Sequence, residues 1–180
     1  MSHSQVISEK KLLSTGIIDV KRAKVKIPNG KIHTHTNVYR IPSVLVFPLT
    51  PTYELYFLLQ YRYLHKKVML ETVAGLMNEG ESALAGAKRE LLEESGITAG
   101  KLELFLKLHP FGSGIKTTEY LFLATDLEFG KAQLEEDEEI ELIKMPLSDA
   151  VKKIETGEIC NGAAVAGILY IDRLRREKKL

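Results

Sequence analysis

Three glutamates near the middle of the chain stand at a spacing that suits a hard cation. If residues 82–95 are helical, Glu90, Glu93 and Glu94 lie at i, i+3 and i+4 and share one helix face. Like charges this close repel one another, so a positive group is expected beside them. Mg²⁺ prefers oxygen ligands and often shares them with substrate phosphates, which indicates metal-assisted attack on phosphorus. A solvated helix face is the alternative, because Glu is a good helix former.

The surrounding segment, from Gly75 to Ile97, decides between these readings. It reads GLMNEGESALAGAKRELLEESGI. It resembles the Nudix box: Gly, five residues, Glu, seven residues, Arg-Glu, an apolar residue, any residue, Glu-Glu, any residue, Gly and an apolar residue. The matching positions are Gly75, Glu81, Arg89, Glu90, Leu91, Glu93, Glu94, Gly96 and Ile97. A match at every specified position favours the catalytic interpretation.

The flanking motifs resemble one branch of that family, the ADP-ribose and nucleoside-diphosphate-sugar pyrophosphatases. They are LLQYR (58–62), ETVAG (71–75), NEGES (78–82), YLFLATDL (120–127), EEDEEIEL (135–142) and GEICNGAAVAGILY (157–170). The resemblance implies an α/β protein with the Nudix fold, an α/β/α sandwich around a mixed β-sheet. It also implies a small N-terminal β element, so we divide the chain into 1–41, the dimerising element, and 42–180, the Nudix hydrolase domain.

The implied reaction is Mg²⁺-dependent hydrolysis of a nucleoside-diphosphate sugar, with ADP-ribose giving AMP and ribose 5-phosphate. GDP-mannose or a broad range of such sugars is an alternative, because Gly112 stands where this branch often has the proline of a Ser-Pro-Gly element. Another Nudix chemistry, on dinucleoside polyphosphates, coenzyme A or damaged nucleotides, is a second alternative. A non-catalytic ligand-binding module is a third, although such proteins usually lose the box carboxylates.

The resemblance assigns roles to particular residues. Glu90 and Glu94, then Glu93, are the expected metal ligands, together with the backbone carbonyl of Ala74, and Mn²⁺ would suit the same oxygens as Mg²⁺. Arg89 is expected to hold the box together through bidentate bonds, with Glu81 as a partner.

The general base and the substrate contacts are expected outside the box. The acidic run at 135–139 is the expected source of the base, with Glu136 preferred and Glu138 also assigned there, although such a run is often only a solvated loop. Arg40 and Arg62 are expected at the phosphates, because the guanidinium offers a rigid fork of donors. Phe111, Tyr39 or Tyr63 could stack on the base.

Composition limits the other functional classes. The chain has 180 residues, a formal net charge of +1 and no apolar run long enough to span a bilayer, so neither nucleic acid nor membrane is expected as a partner. Cys160 is the only cysteine, which excludes an intrachain disulfide. The start, MSHSQVISEKK, lacks the apolar core of a signal peptide, so a location in the cytoplasm is expected. The expected assembly is a homodimer, and the expected partner is a small-molecule substrate.

Local patterns predict the elements around the box. Residues 12–27 and 31–40 read as strands joined at the turn Pro28-Asn29-Gly30, and Val44–Leu49 reads as a strand buried on both faces. Ser148 is expected to cap a helix over 149–155, and Asn161 to open the last helix.

Overall fold

A computed structural model describes residues 3–134 and 139–180. The elements in chain order are β1 (Gln5–Ser14), β2 (Ile18–Lys26), β3 (Ile32–Arg40), β4 (Ser43–Pro48), β5 (Glu54–Arg62), β6 (Lys67–Glu71), β7 (Val73–Leu76), α1 (Ala83–Ser95), β8 (Ile97–Leu108), β9 (Ile115–Lys116), β10 (Glu119–Phe129), β11 (Ile140–Pro146), α2 (Leu147–Glu155) and α3 (Gly162–Arg176). They form two units, Met1–Pro42 with His109–Thr118, and Ser43–Leu108 with Glu119–Leu180.

The first unit is a sheet in the order β1-β2-β3-β9. The hairpin of β2 and β3 confirms the predicted turn: Gly30 has φ +85° and its N–H donates to the carbonyl of Ile27 at 2.9 Å. Strand β1 was not predicted over most of its length. Its residues Gln5–Ser14 are all exposed, and pairing with β2 rather than burial defines it as a strand.

The second unit contains a mixed sheet in the order β7-β4-β10-β8 and a smaller antiparallel sheet in the order β11-β5-β6. In the mixed sheet β10 runs parallel to β4 and antiparallel to β8. This agrees with the predicted α/β class and mixed sheet.

Burial on both faces of β4 explains its continuous apolar run, Val44–Phe47. Side chains alternate between the two faces of a strand. Leu45 and Phe47 join the core cluster that includes residues of α2 and α3, whereas Val44 and Val46 join the cluster that includes Ala87 and Leu91 of α1. Helices therefore cover both faces of the sheet, as in an α/β/α sandwich.

The helix ends test the capping residues that the sequence predicts. Ser82 caps α1 by accepting from the Ala85 N–H at 3.2 Å, and Gly96 ends it at φ +68°. Asn161 caps α3, accepting from the N–H groups of Ala163 and Ala164. The prediction that Ser148 caps α2 was wrong: that helix begins at Leu147, directly after Pro146, and has no side-chain cap.

Candidate catalytic site

The box carboxylates gather in one cleft of the second unit. It has a volume of about 410 Å³ and is lined by Arg62, Ala74, Gly75, Leu76, Asn78, Arg89, Glu90, Glu93 and Glu94. Glu90 and Glu94 are buried at 8% and 6% exposure, whereas the side chain of Glu93 is 38% exposed. Helix α1 positions all three on one face, and β7 supplies the opposite wall through Ala74 and Gly75.

Arg89 is the electrostatic centre of this cleft. Its guanidinium donates to Glu81 from Nε at 3.0 Å, and from Nη1 to Glu90 at 2.7 Å and to Glu93 at 2.9 Å. Nη2 donates to the Leu76 carbonyl at 3.0 Å, which ties α1 to β7. The bonds to Glu81, and then those to Glu90 and Glu93, raise the pKa of Arg89. The positive group expected beside the glutamates is thus present within the chain.

Glu81 is the partner that fixes Arg89. It accepts from Nε and Nη2 of Arg89 with its two oxygens, a bidentate pair, and from the backbone N–H of Asn78 at 2.9 Å. The Arg89 hydrogen bond, followed by the Asn78 N–H, lowers the pKa of Glu81. Glu81 therefore serves the shape of the box loop, and its contacts with Arg89 and Asn78 favour the ionised carboxylate.

Gly75 is required by the position of Glu90. A Cβ built on Gly75 would come within 1.9 Å of the Glu90 carboxyl carbon and of Oε1, so a side chain there would displace the Glu90 carboxylate. The neighbouring backbone N–H of Ala74 donates to Glu94 Oε2 at 2.9 Å. Residues 74 and 75 of β7 thus hold the two buried carboxylates of α1 from the facing wall.

Arg62 enters the cleft from the end of β5. Glu71 of β6 accepts from its Nε at 2.7 Å, and the two strands are paired antiparallel in this hairpin. Glu71 and Asn78 were missed as site residues in the sequence analysis. The motifs ETVAG and NEGES contained them, but only the strand pairing and the cleft wall show what they contact.

The remaining predicted site residues lie elsewhere in the chain. Arg40 ends β3 and is exposed, and Phe111 lies in the loop before β9 at 49% exposure; both belong to the first unit. Tyr39 and Phe111 line a pocket of about 340 Å³ in that unit. Glu136 and Glu138 lie outside the described residues.

The donor set of the cleft fits a hard divalent cation. Glu90, Glu93, Glu94 and the Ala74 carbonyl offer only oxygen, which Mg²⁺ and Mn²⁺ prefer. Among residues 3–134 and 139–180, however, no three Asp, Glu, His or Cys side chains stand ready-made around a metal position. Two of the three glutamates are turned toward Arg89 Nη1, which supplies the counter-charge in this arrangement.

Comparison with known proteins agrees with this geometry. A model of the NUDIX domain matches residues 39–162. The chain belongs to the Nudix family. Nudix hydrolases generally use divalent metal ions, in keeping with the oxygen donors in the cleft.

The chain is 29% identical over 169 residues to the ADP-ribose pyrophosphatase of Bacillus subtilis, covering 93% of this chain and 91% of that protein. It is 30% identical over 106 residues to the GDP-mannose pyrophosphatase of Escherichia coli, covering 57% and 55%. A crystal structure of an ADP compounds hydrolase has the same fold, with a TM-score of 0.87 at 20% identity and coverage of 100% and 98%.

Proposed function

We propose that this Nudix hydrolase cleaves the diphosphate of nucleoside-diphosphate sugars, with ADP-ribose as the preferred substrate and AMP and ribose 5-phosphate as products. The observation that carries the proposal is the single cleft that combines Glu90, Glu93 and Glu94 with the guanidinium of Arg62. The similarity to ADP-ribose pyrophosphatases over 93% of the chain supports the choice of substrate.

Each residue of the cleft has a distinct part in this reaction. Arg62, oriented by Glu71, binds a non-bridging phosphate oxygen. Glu90 and Glu94, then Glu93, together with the Ala74 carbonyl, would hold Mg²⁺, and Arg89 positions the glutamates. When bound, the cation neutralises the diphosphate and lowers the pKa of water. Glu136, with Glu138 two positions further along the chain, accepts the proton of the attacking water.

Two residues of the first unit are also assigned to the substrate in this proposal. Arg40 contacts phosphate, and Phe111 stacks on the base. We also propose a homodimer in which residues 1–41 pack against a second copy, and a location in the cytoplasm. Among the described residues, no helix is both long and apolar enough to cross a membrane.

A second candidate substrate is GDP-mannose. Two observations favour it: the similarity to GDP-mannose pyrophosphatases over 106 residues, and the altered loop His109–Gly114. Phe111, Gly112, Ser113 and Gly114 of that loop line the pocket of the first unit, where a different sugar or base would be selected.

A substrate panel tests the proposal. The purified chain is incubated with Mg²⁺ and ADP-ribose, GDP-mannose, a dinucleoside polyphosphate or coenzyme A, and the products are separated by chromatography. We expect AMP and ribose 5-phosphate with the highest kcat/KM for ADP-ribose. A higher kcat/KM for GDP-mannose would support the second candidate, and tight ADP-ribose binding without any cleavage would support a non-catalytic module.

A further inference from the structure

The charged residues are divided very unevenly between the two units. The first unit has nine Lys and Arg but only two Asp and Glu, a formal charge of +7, whereas the second has sixteen and twenty-two, a charge of −6. The net charge of +1 for the whole chain hides this division. A small sheet with so large an excess of cations attracts polyanions.

Both carboxylates of the first unit lie on one face of its sheet. Glu9 and Asp19 are in register with the odd-numbered residues of β2 and β3. Lys21 binds Glu9 at 3.0 Å and Lys11 binds Asp19 at 2.9 Å. On this face the cations therefore have partners within the sheet.

The charged residues that β1, β2 and β3 place on the opposite face are all cations, and Arg40, opposite Ile18, is one of them. We call Lys10, Arg22, Lys24 and Lys26 the basic face; all four are exposed, and none forms an ion pair in the described parts of the chain. The three β2 residues follow one another at about 6.7 Å, two residues apart along a strand. Lys10 lies directly opposite Arg22. Like charges opposite each other destabilise a sheet, so this arrangement is costly unless an anion binds it.

Hydroxyl groups lie among these cations. Thr36 is opposite Arg22, and both Thr34 and Ser8 are opposite Lys24. Lys, Arg, Ser and Thr are the side chains that contact the phosphates of nucleic acids. No residue that β1, β2 and β3 place on this side is aromatic, because Tyr39, His33 and His35 lie on the other side. The strands β1, β2 and β3 thus give this face hydrogen-bond donors for the phosphate backbone of a nucleic acid, but no aromatic ring on which its bases would stack.

We propose that the basic face binds the phosphate backbone of a nucleic acid without regard to base sequence. A row of evenly spaced cations matches a chain of evenly spaced phosphates. A lipid bilayer fits less well, because the two exposed apolar residues of this face lie far apart. Leu13 is next to the half-buried Val20 and Val38 at one end, and Ile32 is opposite Lys26 at the other. The proposal does not depend on the hydrolytic activity.

The experiment uses the full chain and a fluorescein-labelled duplex of about 20 base pairs, followed by anisotropy between about 50 and 200 mM salt. The test variant replaces Lys10, Arg22, Lys24 and Lys26 with Gln. The matched control replaces four exposed lysines of the second unit with Gln; they are Lys101, Lys131, Lys152 and Lys178. We expect the test variant to lose at least about 100-fold in affinity and its log–log salt slope to fall by about 3 to 4, because fewer counterions are released.

The control variant should bind the duplex with the affinity of the native chain. The native chain should bind two duplexes of different sequence with equal affinity. Both variants should hydrolyse ADP-ribose at the native rate. Equal binding by test and control variants would overturn the proposal. So would binding to vesicles of anionic lipid without binding to the duplex. Salt-sensitive self-association that depends on the four residues, measured in the absence of duplex binding, would assign the face to a second copy instead.

Discussion

Arg89 changes how the three glutamates of α1 are understood. Their mutual repulsion suggests a missing cation, yet Arg89 already donates to Glu90, Glu93 and Glu81. Glu94 is held differently, by the backbone N–H of Ala74. The carboxylates can therefore be gathered by the chain itself, and a divalent ion would have to draw Glu90 and Glu93 partly away from Arg89.

The first prediction concerns Glu94. Glu94→Gln keeps an oxygen that can accept from the Ala74 N–H but removes the charge that a metal ion needs. We expect kcat for ADP-ribose to fall about 100-fold or more, with the melting temperature little changed. Steady-state kinetics over a Mg²⁺ titration measure the effect, with Glu155→Gln on the exposed side of α2 as the control. Unimpaired turnover by Glu94→Gln would refute the metal assignment.

The second prediction concerns Gly75. In Gly75→Ala the new methyl group would overlap the Glu90 carboxylate, so we expect a loss of activity and a destabilisation of about 1–3 kcal/mol. The matched control is Gly162→Ala at the start of α3, where a Cβ meets nothing within 4 Å. Kinetics and urea unfolding of both variants measure the difference. Native activity in Gly75→Ala would show that Glu90 can move without consequence.

The third prediction concerns the pH dependence of stability through Glu81. Arg89 lowers the folded-state pKa of Glu81 below its ordinary value of 4.5. Its contribution to stability is therefore fully present above pH 4.5 and is lost as pH falls through the lowered folded-state value. We expect Glu81→Gln to lower the free energy of unfolding by about 1–3 kcal/mol at neutral pH, and the gap from the native chain to narrow in acid.

Urea unfolding at a series of pH values measures that gap. Glu155→Gln, on the exposed surface of α2, should differ from the native chain by less than about 0.5 kcal/mol throughout. A gap for Glu81→Gln that stays constant from neutral pH into acid would argue against a charge-dependent bond to Arg89.

At the scale of elements, α1 matters because it carries the three glutamates to β7. The helix starts where the Ser82 hydroxyl accepts from Ala85 and ends where Gly96 takes a left-handed conformation. A Cβ on Gly96 would also come within 2.7 Å of backbone atoms of Gly130 and Ala132. Both ends of the helix are thus fixed, and its carboxylates reach the cleft in one register.

The fourth prediction tests the first turn of α1. Ser82→Ala removes the cap, and we expect a loss of about 1 kcal/mol in the free energy of unfolding, whereas Ser82→Asp should retain most of the stability. Chemical unfolding of the two variants provides the comparison. Equal stability of the Ala and Asp variants would show that the cap does not contribute.

At the scale of the whole molecule, the exposed first unit motivates the fifth prediction. Val6, Ile7 and Leu12 of β1 are each at least 43% exposed. A small sheet of this kind needs something to cover its apolar positions. We expect a homodimer at micromolar concentration by light scattering. A monomer at that concentration would contradict this prediction.

The sequence by itself determined the family, the α/β class, both ends of α1 and the start of α3. These depend on local chemistry: Ser82, Gly96 and Asn161 act within a few residues of themselves, and the spacing of Glu90, Glu93 and Glu94 is a property of one helix. It failed at β1 and at the start of α2, where pairing with β2 and the preceding Pro146 decide the outcome.

Tertiary structure alone decided which groups meet. Gly75 and Glu90 are fifteen positions apart in the chain, yet β7 and α1 bring them into contact. Glu71 reaches Arg62 only through the pairing of β5 and β6. The excess of positive charge in the first unit is not visible in the net charge of +1 of the whole chain. Composition averages over the whole chain, whereas electrostatic and steric interactions act over a few ångströms. Which residues interact therefore depends on the fold that brings them together.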